Sequence, residues 1–286
     1  MAFNAIGLFG RYQDAAIKAT LAQIRSHLEA RGSVVFLGDT THQEIDGLRI
    51  NDTGRSIEES IDLGIVVGGD GTMLHVANAL AQVNLPVVGI NMGRLGFLTD
   101  IPAENFGEHL DQLLDGHYSI EERAMLQARI FEDSKLVSER LALNDVTLSK
   151  GATGKMIEID MRVDGEPVGP SRGDGVIVAT PTGSTAYALS AGGPILEPTL
   201  PAIVLTPISP HSLGQRPIVL GNDSTISLGL VGSPDERANI FIDGLDFAEI
   251  HYNSRLEISK ARTYAKLIHI EGHNHYQALR SKLGWG

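Results

Sequence analysis

Cysteine is absent from this 286-residue chain. Disulfides, thiolate zinc sites and cysteine nucleophiles are therefore excluded at the outset. Positive charge is also scarce: 23 Lys and Arg stand against 35 Asp and Glu, a net charge of −12. A chain so acidic has no general positive field with which to hold nucleic acid or an anionic membrane, although a local basic site for phosphate remains compatible with it. No apolar run approaches the roughly 20 residues needed to span a bilayer. The apolar segment at Met1–Gly10 has no basic leader and is cut short by Arg11, so it reads as a first strand and not as a signal peptide. The cytoplasm is the expected location. Hydrophobic residues at 42% and charged residues at 20% fit a globular protein of one or two domains.

What is present falls into two halves. Up to about residue 119, short apolar runs alternate with amphipathic stretches. Ala5–Phe9, Val34–Leu37, Leu63–Val67 and Val87–Ile90 read as strands. Asp14–Arg31, Met73–Leu80 and Ala103–Leu114 read as helices, the first with Ile17, Leu21, Ile24 and Leu28 on one face. That grammar predicts a Rossmann-like parallel sheet covered on both faces. The polar piece from Gly38 to Arg55 reads as a mobile loop. From 120 to 262, short strands separated by turn signals such as Asp164-Gly165 and Asp243-Gly244 predict a β-sandwich. Met125–Phe131, Leu141–Leu148, Met156–Val163, Val176–Ala179, Ser224–Val231 and Asn239–Ile242 are its expected strands, and Gly183–Leu189 a helical insert. Residues 263–286 form a third segment ending in a polar helix from His273, with Tyr276, Leu279 and Leu283 on one side and Trp285 as an anchor.

Two segments carry chemistry. The run Leu63-Gly64-Ile65-Val66-Val67-Gly68-Gly69-Asp70-Gly71-Thr72 reads as strand, glycine turn and helix start. Glycines let an anion approach backbone amides, and the following helix adds free N–H donors. A carboxylate placed there is costly without a task, which makes Asp70 a candidate to receive a proton or organise a metal. The plainer alternative is a tight turn with Asp70 capping its helix. Gly151–Met156 has neither the spacing nor the hydroxyl of a phosphate-binding lysine loop. The second segment runs from Ser171-Arg172-Gly173-Asp174-Gly175 to Gly192-Gly193-Pro194 and is dense in small and hydroxyl residues around Tyr187. It offers hydroxyls to a base or ribose and a ring for stacking; the alternative is a hydroxyl-capped helix packed on the sheet. Between them, Asn144 and Asp145 would face opposite ways on a regular strand, so a bulge or strand end is required for both to meet one ligand. His75 lies one turn into the helix after Thr72, where it faces phosphate or packs at the surface. His273 and His275 read as surface residues.

Taken together these motifs resemble the bacterial NAD kinase family over nearly the whole chain. Gly68-Gly69-Asp70-Gly71-Thr72, Asn91-Met92-Gly93-Arg94-Leu95-Gly96-Phe97-Leu98, Asn144-Asp145 and Gly173–Pro194 appear in the family's order. The first motif is shared with lipid kinases of the diacylglycerol type; the long signature is the specific one. The resemblance implies an α/β first domain, a β-sandwich second domain and a C-terminal helical segment returning to pack on the first, with ATP and NAD as substrates, a divalent metal such as magnesium, and a homodimer or homotetramer. It implies that Asp70 accepts the proton of the adenosine ribose 2′-hydroxyl. Gly71 and Thr72 would face phosphates and Phe97 the dinucleotide, while Asn144 and Asp145 would hold adenine and ribose hydroxyls. Arg172 and Asp174 would reach the nicotinamide end. Thr185, Ala186, Tyr187 and Ser190 would surround the adenosine moiety, with Lys155 a looser match and Asp243 near the ribose. Two positions depart from the pattern: Asp145 stands where Glu is usual, and Leu245 where many relatives carry Gln. A lipid kinase and a non-catalytic NAD sensor are the rival readings.

Overall fold

The structure is a computed structural model that describes residues 3–11, 14–38, 48–50, 54–93, 96–151, 155–233, 235–272 and 274–285. The chain divides into two compact units, Met1–Glu122 with Ala265–Gly286, and Arg123–Tyr264.

The first unit opens with β1 (Ala5–Gly10), α1 (Ala15–Ala30), β2 (Val34–Leu37) and β3 (Leu48–Arg49). It continues through α2 (Ile57–Ser60), β4 (Leu63–Val67), α3 (Asp70–Ala81), β5 (Pro86–Asn91), β6 (Ile101–Pro102) and α4 (Phe106–Asp115). Helix α1 buries Ile17, Leu21, Ile24 and Leu28, the face its spacing specifies, and Asp14 caps it by accepting the Ala16 N–H at 2.8 Å. The strands pair in parallel in the order β3-β2-β1-β4-β5. β1 leads through α1 to one neighbour, whereas β4 leads through α3 away to the other side. Their carboxyl ends therefore diverge at a topological switch point, the place where open parallel sheets bind ligands. The β4 run is wholly buried, as a strand covered on both faces must be. Of the expected polar loop between Gly38 and Arg55, residues 39–47 and 51–53 lie outside the described residues. Leu48 and Arg49 within it form a strand paired with Phe36 and Leu37, because the main chain there completes the sheet edge.

The second unit follows from β7 (Tyr118–Glu132) through β8 (Lys135–Ala142), β9 (Asp145–Lys150), β10 (Ile157–Val163), β11 (Glu166–Gly173), β12 (Gly175–Ala179) and the one-turn α5 (Tyr187–Ser190). It ends with β13 (Ala202–Ile208), β14 (Ile218–Gly221), β15 (Ile226–Val231), β16 (Arg237–Ile242), β17 (Leu245–His251) and β18 (Ser254–Ile270). One antiparallel sheet has the order β14-β13-β12-β9-β16-β17. The other sheet is built on β11-β10-β15-β18, and the core between them includes Val146, Leu148, Val176, Val178, Ile240 and Ile258. The sandwich expected from the strand pattern is present.

The last residues of β18 belong to the first unit, where Lys266 and Leu267 pair in parallel with Pro86 and Val87. They lead to α6 (His275–Leu283), which packs on that unit through buried Ala278 and Leu279. Trp285 is 52% exposed, so it is not the anchor the sequence suggested. Of the side expected to hold Tyr276, Leu279 and Leu283, Leu279 is buried and Tyr276 is 60% exposed, and the buried face at Ala278 and Leu279 suffices. His273 lies outside the described residues. Among the described residues, no helix is long and apolar enough to cross a membrane.

Candidate functional site

In the first unit the glycine turn sits at the carboxyl end of β4. Gly69, not Asp70, occupies the cap position of α3, and Asp70 is the first helical residue. This overturns the reading of Asp70 as the cap of its own helix. Its carboxylate instead accepts the Phe97 N–H at 3.0 Å and the Leu98 N–H at 3.1 Å. Two amide donors fix the plane of the carboxylate, and its side chain stays 30% exposed. A Cβ on Gly96 would overlap both that carboxylate and the Thr99 hydroxyl, so only glycine lets the loop close over Asp70. The same loop is pinned at Asp100, whose carboxylate bonds to Nδ1 of buried His269. Gly71 is open to solvent, Thr72 is buried with its side chain over Gly68, and His75 is exposed. Phe97 is half-buried. Lys282 on α6 brings Nζ to 3.4 Å from the Asp70 carboxylate and 5.8 Å from the centre of the Phe97 ring.

In the second unit a cavity of about 380 Å³ lies over the start of β9. The chain breaks between β8 and β9, so Asn144 occupies the turn and Asp145 opens the strand; both line the cavity. The single strand expected over Leu141–Leu148 is thus two. The cause is Asp243, whose carboxylate accepts the N–H groups of Leu143 at 3.0 Å, Asn144 at 2.7 Å and Asp145 at 3.2 Å. Asp243 and Gly244 form a two-residue hairpin turn between paired Ile242 and Leu245, with φ of 51° and 77°. The side chains of Asp145, Thr147 and Ser149 alternate along β9 and share the cavity face, while Val146 and Leu148 enter the core. Phe241, Gly244, Ala186 and half-exposed Tyr187 complete the lining.

Asp145 is 4% exposed. Burial pushes its carboxyl up from 3.8 to about 6, the neighbouring Asp243 charge adds to the rise, and the Thr147 hydroxyl, donating at 3.2 Å, opposes it. Near neutral pH it is largely ionised and offers acceptor lone pairs to a diol.

The hydroxyl-rich stretch divides its labour. Thr180 donates to the Leu143 carbonyl at 2.6 Å and accepts from Gly183 N–H at 3.0 Å. Ser184 donates to the Pro181 carbonyl and accepts from the Leu196 N–H. Buried Arg123 donates to the Thr182 hydroxyl at 3.3 Å. These hydroxyls hold the turn that presents Ala186 and Tyr187. Thr185 donates to the Thr182 carbonyl at 3.2 Å, and Ser190 is exposed. Lys155 and Arg172 are exposed, and Asp174 is ion-paired with Lys150 at 2.7 Å. None of these five is among the described residues that line the cavity. Thr147, Ser149 and Phe241 were not singled out from the sequence, although the period-two continuation from Asp145 carried the signal for the first two. Gly96 lay within the Asn91–Leu98 motif without a role assigned to it, and nothing local marked Lys282. Among the described residues, no group of three or more His, Asp or Glu is placed to hold a metal.

A parallel-sheet unit with an anion-type glycine turn, joined to a sandwich bearing an acidic, hydroxyl-lined cavity, defines a two-unit nucleotide-binding architecture. The comparisons make this specific. The ATP-NAD kinase N-terminal domain model matches residues 22–118 and the ATP-NAD kinase C-terminal domain model residues 143–270. The chain is 42% identical to the NAD kinase of Azoarcus sp. (strain BH72), over 99% of this chain and 96% of that protein. Identity to the NAD kinase of Pseudomonas putida (strain W619) is also 42%, over 99% and 96%. The fold is similar to yeast NADH kinase complexed with NADH, with a TM-score of 0.87 at 24% identity, covering 99% and 88% of the two chains. It is similar also to an NAD kinase from Archaeoglobus fulgidus in complex with ATP, with a TM-score of 0.74 at 28% identity and 98% of each chain covered. The chain belongs to the NAD kinase family.

Proposed function

We infer that the protein phosphorylates NAD at the expense of ATP. The transfer is to the 2′-hydroxyl of the adenosine ribose, giving NADP and ADP. In that step the ribose oxygen forms a bond to the γ-phosphorus, the bond from γ-phosphorus to the bridging oxygen breaks, and its electron pair leaves with ADP. The hydroxyl proton passes to Asp70. The observation that carries this reading is the Asp70 carboxylate itself, held by two amide N–H groups yet part-exposed beside the glycine turn. A loose phosphoryl-transfer transition state asks mainly for alignment and charge neutralisation, so orienting the hydroxyl matters as much as basicity.

Asn144, Asp145 and Tyr187 are assigned to the nucleoside, supported by their shared cavity: the ionised carboxylate accepts from vicinal ribose hydroxyls and the half-exposed ring offers a stacking face. Asp243 is assigned an indirect part, since its oxygens are taken by three backbone N–H groups. Gly71, Thr72 and Phe97 are assigned to phosphates and dinucleotide, Arg172 and Asp174 to the nicotinamide end. Since no group of three or more described His, Asp or Glu is placed to hold a metal, magnesium would arrive as a companion of ATP, where it would neutralise phosphate charge. A cytoplasmic homodimer or homotetramer belongs to the same reading, and light scattering measures the assembly. The lipid-kinase and sensor alternatives gain no support, because the relatives matched over nearly the full chain are NAD kinases. The test is to incubate purified protein with NAD, ATP and magnesium. One NADP per ADP, phosphorylated at the 2′ position, is expected; ADP without NADP, or neither product, would overturn the reading.

A further inference from the structure

Helix α6 delivers one side chain to the glycine turn. Asn274 caps its start by accepting the Tyr276 N–H at 2.9 Å, and Gly284, with φ of 68°, ends it. Ala278 and Leu279 are buried, so Lys282, four and three residues on, shares their inward side. Its ammonium lies 3.4 Å from Asp70 Oδ2, the oxygen that also accepts from Phe97 N–H, and sits over the Phe97 ring. Lys282 and Asp70 are 212 residues apart and each side chain is 30% exposed. The lysine thus contacts both the carboxylate and the aromatic residue of the loop that orients it.

We propose that Lys282 is a positioning residue for phosphoryl transfer, holding the Asp70 carboxylate in register with the acceptor hydroxyl. The proposal rests on the reading of Asp70 as the proton acceptor. An anionic donor arriving at a turn that already bears a carboxylate meets like-charge repulsion, and a cation within 4 Å offsets it. A mobile lysine suits this task, because its three donors serve Asp70 without fixing a single fork geometry. The helix therefore couples the end of the chain to the chemistry, through the side chain and not through the fold alone.

The test is a double-mutant cycle on the full chain with Asp70→Asn, Lys282→Met and the double variant, plus Lys282→Arg, reading kcat, the KM for NAD and for ATP, and melting temperature. Loss of a charge-assisted contact sets the expected fall in kcat for Lys282→Met at about tenfold, with both KM values within about twofold. Lys282→Arg is expected to recover to within about threefold, and in the Asp70→Asn background Lys282→Met is expected to cost less than about twofold. An unchanged kcat in Lys282→Met overturns the proposal. So does an equal penalty in both backgrounds, which places the lysine's action elsewhere, or a loss that arginine does not rescue and that follows a lowered melting temperature. Near-normal turnover in Asp70→Asn alone removes the underlying reading instead, and the two failures are thereby distinct.

Discussion

The Asp243 carboxylate accepts the Asn144 backbone N–H at 2.7 Å across 99 residues of sequence. With its bonds to Leu143 and Asp145, that contact makes the β16–β17 hairpin turn a clamp on the start of β9. Asp243→Ala strands three N–H groups. It is expected to cost about 2–4 kcal/mol of stability and to raise the KM for NAD at least about tenfold, because Asn144 and Asp145 lose their placement. Thermal melts and initial-rate kinetics measure both; an unchanged KM would show that the clamp does not set the cavity.

The buried Asp145 gives a pH dependence with a definite sign. Its folded-state value near 6 exceeds the ordinary 3.8, so the unfolded chain ionises first. The group's contribution to stability is present below about pH 4 and is lost as pH rises through about 6. The loss is on the order of 3 kcal/mol. Asp145→Asn removes the cost of a buried charge, so its melting temperature is expected to gain on the wild type between pH 4 and 7. A gap that stays constant over that range contradicts the assignment. The same variant is expected to bind NAD more weakly, since an amide accepts from a diol less strongly than a carboxylate.

Gly96→Ala tests the loop over Asp70. The added methyl would overlap the Asp70 carboxylate and the Thr99 hydroxyl. Turnover is expected to fall more than about tenfold, the scale of a misplaced catalytic group, while the KM for NAD shifts by less than about threefold. Gly183→Ala is the contrasting case, because its methyl would meet the Asn144 backbone and is expected to raise the KM for NAD. Stopped-time NADP assays on both variants separate the two effects, and matching profiles would count against distinct roles.

Much of this was legible in the sequence wherever the cause is local. The 3.6-residue spacing of Ile17, Leu21, Ile24 and Leu28 specified α1, and the apolar run into Gly68-Gly69 specified β4 and its turn. What was hidden has distant causes. The break between β8 and β9 depends on Asp243, and the Asp70 contacts depend on Phe97, Leu98 and Lys282. Composition left one point open: Thr180, Thr182 and Ser184 could serve as ligand donors or as braces, and their hydroxyls brace a turn. Spacing cannot say whether a hydroxyl faces a base edge or a carbonyl two turns away.

Asp70→Asn is the most direct measurement, because the amide keeps the size of the side chain while removing its charge and proton affinity. NAD affinity by titration calorimetry is expected to stay within about threefold of the wild type, and kcat for NADP formation to fall about 100- to 10,000-fold. Turnover close to the wild-type rate in a variant that binds NAD normally would contradict the assignment of Asp70 to the transfer.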